Sequence, residues 1–183
     1  GIRTIDLSDA TTQLGKVDAS GFTTGITLTA ADADLDDSLV GGSGADTFNS
    51  GDDGEVDFKG NGGNDTFNIT SAKLAKVEDL SGGDILKVAS SNTAGTQATV
   101  TADFTATAAS TNNLSVAGVT LIGTADAKIT LTSAGNTYGY TVTGQAANVD
   151  GKGTSVVGST KGDAINGGTG NGNDTFKGGG GND

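Results

Sequence analysis

The hydrophobic positions of this 183-residue chain recur in short runs that are separated by turn-forming residues. Near the start of the chain, Ile5 and Leu7 and then Ile26 and Leu28 alternate with polar residues. Such alternation over a few residues is typical of short β-strands with one buried face. Residues 1–40 are therefore predicted to form the first coils of a structure built from strands and turns.

The central part of the chain, residues 69–155, is rich in Thr, Ala and Val. Its apolar runs predict strands near residues 116–122, 128–132 and 137–143. We expect this region to form the body of the fold, with a glycine-rich segment on each side of it.

One stretch of the body has the spacing of a helix instead. Leu74, Val77 and Leu80 recur every three residues, Ser71 is a suitable N-cap, and a pair of glycines follows. The sequence therefore predicts one short helix near residues 71–80.

Residues 41–68 have a nine-residue period. They read GGSGADTFN, then, after one Ser, GDDGEVDFK and GNGGNDTFN, with Phe48, Phe58 and Phe67 all at position eight. The pattern G-G-x-G-x-D-x-U-x, in which U is large and apolar, is typical of a parallel β-roll. Its first six residues form a turn and its last three form a strand whose position-eight side chain points inside. One complete coil therefore takes two repeats, with one turn on each side.

Position six of these repeats carries the candidate metal-binding chemistry. It is Asp46 in the first repeat and Asp65 in the third, but Val56 in the second. Turn carbonyls and a closing carboxylate together form the all-oxygen shell that Ca²⁺ prefers. Because turns on the same side are two repeats apart, Asp46 and Asp65 should share one ion. The opposite side, where the Val56 turn follows the Asp37 turn, should bind metal weakly or not at all.

A second repeat cluster occupies residues 156–183. It contains GSTKGDAIN, a longer copy GGTGNGNDTFK, and GGGGND. Asp163 and Asp183 should face each other across one coil, with Asp174 on the far side. The residues that we expect to hold metal in the two clusters are Gly41, Ser43, Gly44, Asp46, Gly60, Gly62, Gly63, Asp65, Gly158, Thr160, Asp163, Gly167, Thr169, Asp174, Gly178, Gly180 and Asp183.

Composition supports a metal-dependent fold. Only 33% of the residues are hydrophobic and the formal net charge is −12, so the core is thin and the chain repels itself. Of the 22 acidic residues only two are Glu, Glu55 and Glu78. Asp is the carboxylate that reaches a metal from a tight turn, so Ca²⁺ is the predicted cofactor, and its binding should be coupled to folding.

The composition also excludes several functions. There is no His and no Cys, which removes the Ser-His-Asp triad, thiolate catalysis and imidazole or thiolate metal sites. The negative charge opposes binding to nucleic acid and to anionic lipid. No apolar run approaches the roughly 18 residues of a membrane span, so no transmembrane segment is predicted. We expect a protein that is not an enzyme.

The repeats at residues 32–68 and 158–183 resemble those of the RTX family, the calcium-binding repeat proteins that bacteria export. GGSGADTFN matches the repeat fully, and GNGGNDTFN lacks one Gly. The Thr/Ala/Gly-rich body without Cys or Met also resembles bacterial surface-layer proteins. The resemblance implies type I secretion, folding on Ca²⁺ outside the cell, and a place at the cell surface or in the medium.

Together these features predict an all-β, right-handed parallel β-solenoid with calcium-binding turns. The predicted function is structural, in an extracellular protein that self-associates into a sheet or fibre. The alternative is an RTX repeat module of a larger secreted adhesin, toxin or hydrolase. For an adhesin, cell-surface polysaccharide would be the candidate partner.

Overall fold

The computed structural model describes residues 3–7, 15–30, 37–51, 54–114, 118–124, 126–144, 153–169 and 172–183. These residues form short parallel strands, stacked in about seven turns, and no helix. The predicted all-β parallel solenoid is therefore confirmed as the fold class. The strands are β1 (Arg3–Asp6), β2 (Lys16–Asp18), β3 (Ile26–Thr29), β4 (Asp37–Val40), β5 (Thr47–Asn49), β6 (Val56–Lys59), β7 (Thr66–Ile69), β8 (Ala75–Gly82), β9 (Ile85–Val88), β10 (Thr96–Thr105), β11 (Thr111–Asn112), β12 (Val119–Gly123), β13 (Lys128–Thr130), β14 (Thr141–Thr143), β15 (Ser155–Val157), β16 (Ala164–Asn166) and β17 (Thr175–Lys177).

Successive strands in the first half of the chain belong to opposite walls. The odd-numbered strands from β1 to β11 form one sheet, and the even-numbered strands from β2 to β16 form the other. Thr47 of β5 pairs with Thr66 of β7, one coil and 19 residues later. One coil therefore contains two repeats and two turns, as the nine-residue period predicts.

The second half of the solenoid changes one of its walls at β10. This ten-residue strand pairs with β12 through Thr96–Val100 and with β13 through Phe104 and Thr105. The sheet that began at β1 ends at β11, and β13, β15 and β17 continue from β10 instead. The second repeat cluster is therefore built on the pairs β14–β16 and β15–β17.

The core lies between the walls and contains the position-eight side chains. Phe48 and Phe67 stack from successive coils, with ring centroids 5.0 Å apart and an interplanar angle of 13°. Phe58 reaches them from the opposite wall, with its centroid 5.4 Å from that of Phe48. All three rings are fully buried. The predicted inward direction of position eight is correct in this cluster.

The predicted helix at residues 71–80 is wrong, because this stretch leads into strand β8. Val77 pairs with Ala98 and Leu80 pairs with Val100, so β8 has one more residue than its partner at this point. Such an extra residue is a β-bulge, and it leaves Val77 and Leu80 both pointing inward although they are three positions apart. The bulge therefore produces the spacing that indicated a helix.

The other predicted strands are found at or near their expected places. Those predicted near residues 116–122 and 128–132 correspond to β12 and β13, and the last three residues of 137–143 form β14. The early alternation falls in β1 and β3. Residues 32–40, which precede the first glycine-rich repeat and have Asp37 at position six, are described only from Asp37 onward. None of the described segments forms a helix of the length and apolar character needed to cross a membrane.

Candidate metal centre

A column of three aspartates runs along one edge of the solenoid. The N–H of Asp46 donates to Oδ1 of Asp65 at 2.8 Å, and the N–H of Asp65 donates to Oδ1 of Asp84 at 2.8 Å. At the start of the column the N–H of Ile26 donates to Oδ1 of Asp46 at 2.9 Å. Asp46 and Asp65 are thus neighbours on successive coils, as predicted. We call Asp46, Asp65 and Asp84 the carboxylate column.

The second carboxylate oxygens of Asp46 and Asp84 accept hydrogen bonds from their own turns. Oδ2 of Asp46 accepts the N–H of Gly42 at 2.7 Å, and Oδ2 of Asp84 accepts the N–H of Ser81 at 2.8 Å. The short Asp side chain therefore folds back over the residues that precede it, as it does in Asx-turns. Each such carboxylate links two coils and closes one turn.

This back-folding explains the first glycine of each repeat that has Asp at position six. A Cβ built on Gly41 would collide with Oδ2 of Asp46, and one built on Gly60 would collide with Oδ2 of Asp65. Any larger residue at position one would displace the carboxylate. The same relationship holds in the second cluster for Gly158 with Asp163, Gly167 with Asp174, and Gly178 with Asp183.

The carboxylate column is buried and lacks a cationic partner. Asp46, Asp65 and Asp84 are 1%, 1% and 2% exposed, and no ion pair among the described residues involves them. Burial raises the pKa of Asp65 to about 7, and the nearby carboxylates of Asp84, Asp46 and Asp79 add to the effect. Burial also raises the pKa of Asp84. A negative charge on Asp65 or Asp84 is therefore unfavourable, and a bound cation would stabilise it.

Among the described residues, which leave out 31–36 and 52–53, the opposite edge of the first cluster has no such column. Asp37 of β4 is in register with Val56 of β6, and Val56 with Ala75 of β8. Only one member of this series has a carboxylate. This is the arrangement expected for the side that binds metal weakly or not at all.

At that opposite edge, the buried amide side chain of Asn92 joins two successive turns instead. Nδ2 of Asn92 donates to the carbonyls of Ser71 and Lys73 at 2.8 and 2.7 Å. Oδ1 of Asn92 accepts the hydroxyl of Thr96 at 3.2 Å. In the first half of the chain, the described groups that join successive turns are thus buried carboxylates at one edge and the buried amide of Asn92 at the other.

The aspartates of the second repeat cluster accept backbone hydrogen bonds from the preceding coil, as those of the carboxylate column do. Oδ1 of Asp163 accepts the N–H of Tyr140 at 2.7 Å, and the N–H of Asp163 donates to Oδ1 of Asp183 at 2.9 Å. Oδ1 of Asp174 accepts the N–H of Thr154 at 2.8 Å, in the other stack of strands. Asp163 and Asp183 therefore lie on successive coils of one edge, and Asp174 lies away from them.

The remaining predicted site residues lie in the turns next to these carboxylates. Backbone hydrogen bonds join the turns of successive coils, for example from the N–H of Gly62 to the carbonyl of Gly42 at 3.2 Å. The turn before β5 contains Gly41, Ser43 and Gly44, the turn before β7 contains Gly60, Gly62 and Gly63, the turn before β16 contains Gly158 and Thr160, the turn before β17 contains Gly167 and Thr169, and the last turn contains Gly178 and Gly180.

Two carboxylates that sequence reasoning missed also lie at this edge. Asp84 follows Asp65 by 19 residues and has Leu86 two positions later, in register with Phe67. Asp84 and Leu86 match the D-x-U part of the repeat, but the glycines before them also indicate the end of the predicted helix. Asp79 comes from the bulged part of β8 and accepts the N–H groups of Gly60 and Asn61, both at 2.8 Å.

The available ligands fit a hard cation only if the turns contribute. Among the described residues, no group of three or more acidic side chains is close enough to hold a metal by itself. Each carboxylate of the column accepts backbone N–H groups and keeps further lone pairs. Ca²⁺ takes six to eight oxygens, including backbone carbonyls, so one or two Asp with several turn carbonyls would suit it.

The chemistry at these edges is that of oxygen ligands and hydrogen-bond acceptors in narrow turns. The sequence contains no His and no Cys, so it lacks the nitrogen and sulfur ligands that favour transition metals. Comparison of the chain with known proteins found no matching family model, no matching curated protein and no matching solved structure.

Proposed function

We propose that this chain is a structural, extracellular bacterial protein whose solenoid is stabilised by Ca²⁺ and which self-associates into sheets or fibres. The observation that carries the proposal is the carboxylate column of Asp46, Asp65 and Asp84. It places one buried carboxylate on each of three successive coils, and none of the three forms an ion pair with another described residue. A divalent cation held with turn carbonyls would neutralise this charge.

The energetic need for calcium follows from charge and core size. A chain with a net charge of −12 and 33% hydrophobic residues has little apolar burial to offset carboxylate repulsion. Calcium sites of extracellular modules have Kd values of roughly 10⁻⁴–10⁻³ M. At a free concentration about 100 times its Kd, one such site adds about 2.7 kcal/mol to the free energy of unfolding. Two or three sites would therefore decide whether the repeats fold.

The structural role is supported by the repetitive outer surface of the walls. One wall has polar residues in register on four successive coils, namely Thr29, Asn49, Asn68 and Lys87, and Nδ2 of Asn68 donates to Oδ1 of Asn49 at 2.9 Å. A surface that repeats along the axis offers a second copy the same contact many times, which favours lateral association. Secretion by the type I route and an extracellular location belong to the proposal through the resemblance of the repeats to RTX proteins.

The proposal assigns no catalytic role to the clustered aspartates. Asp46, Asp84 and Asp163 each use both carboxylate oxygens to accept backbone N–H groups. A carboxylate so engaged and buried is poorly placed to exchange protons with a substrate. Binding and stiffening are the tasks that this geometry suits.

The test is the effect of Ca²⁺ on folding and on assembly. Circular dichroism and thermal unfolding should be measured in EDTA and in millimolar CaCl₂, with MgCl₂ at the same ionic strength as the control. Electron microscopy of the same samples should reveal ordered sheets or fibres only with Ca²⁺. Calcium-stabilised monomers would favour the alternative of a module in a larger secreted protein. Equal unfolding midpoints in EDTA and CaCl₂ would contradict the calcium proposal.

A further inference from the structure

The wall formed by β1, β3, β5, β7 and β9 has an outer face with little charge. Two rows of outward side chains cross these strands in register, and the residue between them in each strand points to the core. One row consists of four Thr and one Ile. The other consists of Asp6, Thr29, Asn49, Asn68 and Lys87. With one acidic and one basic side chain, the two rows have no net charge, and we call them the neutral face.

The outer face of the opposite wall is charged. Its strands present Lys16 and Asp18 from β2, Asp57 and Lys59 from β6, and Lys76 from β8. Lys16 pairs with Asp18 at 3.4 Å, and Lys76 pairs with Asp57 at 3.5 Å. The whole protein has a net charge of −12, so two copies repel each other in most orientations. The neutral face is the surface through which a second copy approaches with the least repulsion.

The two charges of the neutral face lie at equal distances from its middle. Asp6 and Lys87 are both exposed, and each is two strands away from Asn49 of β5. Because paired strands are about 4.8 Å apart, about 19 Å separates the two ends of this row. Lys87 forms no ion pair with another described residue. A row with opposite charges placed symmetrically about its centre is complementary to its own reversed copy.

We propose that two copies of this chain pack with their neutral faces together and their solenoid axes antiparallel. The two-fold axis lies between the faces, parallel to β5. Asp6 of each copy then meets Lys87 of the other copy. Parallel solenoid axes would keep these two charges at opposite ends of the interface, so charge selects the antiparallel arrangement. The inference rests on the self-association in the proposed function and names the surface that carries it.

The amides in the middle of the neutral face suit the same arrangement. Nδ2 of Asn68 donates to Oδ1 of Asn49 at 2.9 Å, and Nδ2 of Asn49 donates to Oγ1 of Thr29 at 3.2 Å. These bonds leave Asn49 with one N–H and one oxygen lone pair. Asn49 faces its own copy across the two-fold axis, where an amide is both donor and acceptor. The strands are only three or four residues long, so one such contact is weak and gains strength when it is repeated in an assembly.

Charge reversal tests the interface. Lys87→Glu turns two attractive contacts per dimer into two repulsive ones and should raise the dimer Kd by about tenfold. Asp6→Lys should do the same. The double variant exchanges the two charges and should restore the wild-type Kd. Sedimentation velocity over a range of protein concentrations, in CaCl₂ at low ionic strength, measures these values, and circular dichroism checks that each variant is folded.

The matched control is Lys59→Glu. It makes the same change in net charge at an exposed residue of the opposite wall, in β6. It should therefore raise the dimer Kd much less than Lys87→Glu does. This comparison separates a specific contact from the general repulsion between two more acidic proteins.

Cross-linking tests the position of the two-fold axis. Thr47 of β5 faces its own copy in the proposed dimer, and the natural chain contains no Cys. Packed sheets lie about 10 Å apart, so a bismaleimide of about that length should join two chains of Thr47→Cys. Ser38→Cys is the control, because Ser38 is a half-buried outward residue of β4 in the opposite wall. It should remain uncross-linked.

The outcomes separate this inference from the proposed function. Equal effects of Lys87→Glu and Lys59→Glu, no recovery in the double variant, or equal cross-linking of the two Cys variants would overturn the paired face. Calcium-dependent stability and sheets would then still support the proposed function. A wild-type protein that binds a soluble polysaccharide but stays monomeric would also overturn the paired face. Dimers with the expected charge dependence but no effect of Ca²⁺ on folding would support the paired face and contradict the calcium proposal.

Discussion

The backbone N–H of Asp46 donates a 2.8 Å hydrogen bond to Oδ1 of Asp65, one coil later. This bond joins two coils through a side chain that is itself buried and negatively charged. The same carboxylate therefore stabilises the stack as an acceptor and destabilises it as a charge. An amide at the same position would keep the acceptor and remove the charge, so the two effects can be separated by mutation.

Asp65→Asn should change how stability depends on pH in the absence of metal. Burial raises the pKa of Asp65 from 3.8 to about 7, so the fold favours the protonated form. The resulting stability is fully present below pH 3.8, falls as the pH rises toward 7, and is absent above it. The slope is about 1.4 kcal/mol per pH unit for one such group. The wild-type protein in EDTA should lose this contribution, and the Asn variant should not.

The measurement is the unfolding free energy in urea from pH 4 to 8.5 in EDTA. Asp57→Asn is the control, because Asp57 is a partly exposed carboxylate that pairs with Lys76 at 3.5 Å. The difference between Asp65→Asn and wild type should grow with pH, whereas that control should give a smaller and flatter difference. Saturating Ca²⁺ should reverse the order above pH 7, making wild type the more stable protein. A pH-independent difference for Asp65→Asn would refute this prediction.

Gly41→Ala should destabilise the protein through a single methyl group. Its Cβ would collide with Oδ2 of Asp46, with the ring of Phe48 and with the carbonyl of Gly60. Overpacking of this kind costs typically about 1–3 kcal/mol. Chemical denaturation in EDTA and in CaCl₂ should give this loss in both.

The matched control for Gly41→Ala is Gly21→Ala. A Cβ on Gly21 would meet nothing within 4 Å, so this change should be neutral or should stabilise by about 0.4–1 kcal/mol. Equal effects of the two substitutions would mean that the first glycine of the repeat is not there to accommodate the carboxylate.

The repeat made the coil predictable because its two constraints are local. Phe48 and Phe67 must point inward and Asp46 must close its turn over Gly41, and each condition needs a fixed residue at a fixed place. Two repeats per coil then follow from the alternation of sides. This is why the sequence alone predicts that Asp46 and Asp65 are neighbours on successive coils.

The features that were missed depend on irregularities that a period cannot reveal. The bulge between Val77 and Leu80 gives these residues the spacing of a helix, so the sequence does not predict strand β8. Asp84 was missed for the same reason, because its glycines were assigned to the end of that helix.

Asn92→Ala should destabilise the edge opposite the carboxylate column. The substitution removes donors to the carbonyls of Ser71 and Lys73 and the acceptor for Thr96. Each of these three buried groups costs about 1–3 kcal/mol when it is left unsatisfied, so a total loss of at least about 3 kcal/mol is expected. The loss should be the same in EDTA and in CaCl₂, since Asn92 and the groups that it joins are all neutral. If Ca²⁺ restored most of the lost unfolding free energy, the two edges would not be independent.

Phe67→Ala and Phe176→Ala test whether the repeat or the burial determines stability. Both residues occupy the apolar position that follows Asp by two, but Phe67 is fully buried against Phe48 and Phe58, whereas Phe176 is 43% exposed. Phe67→Ala should cost about 3–5 kcal/mol, which is the usual loss for a buried ring. Phe176→Ala should cost clearly less, because its ring has not been removed from water to the same extent. Calorimetry of both variants in CaCl₂ would give the two values. Comparable losses would mean that Phe176 is covered in solution, and a second copy of the chain packed on β17 would then be the first candidate to examine by sedimentation.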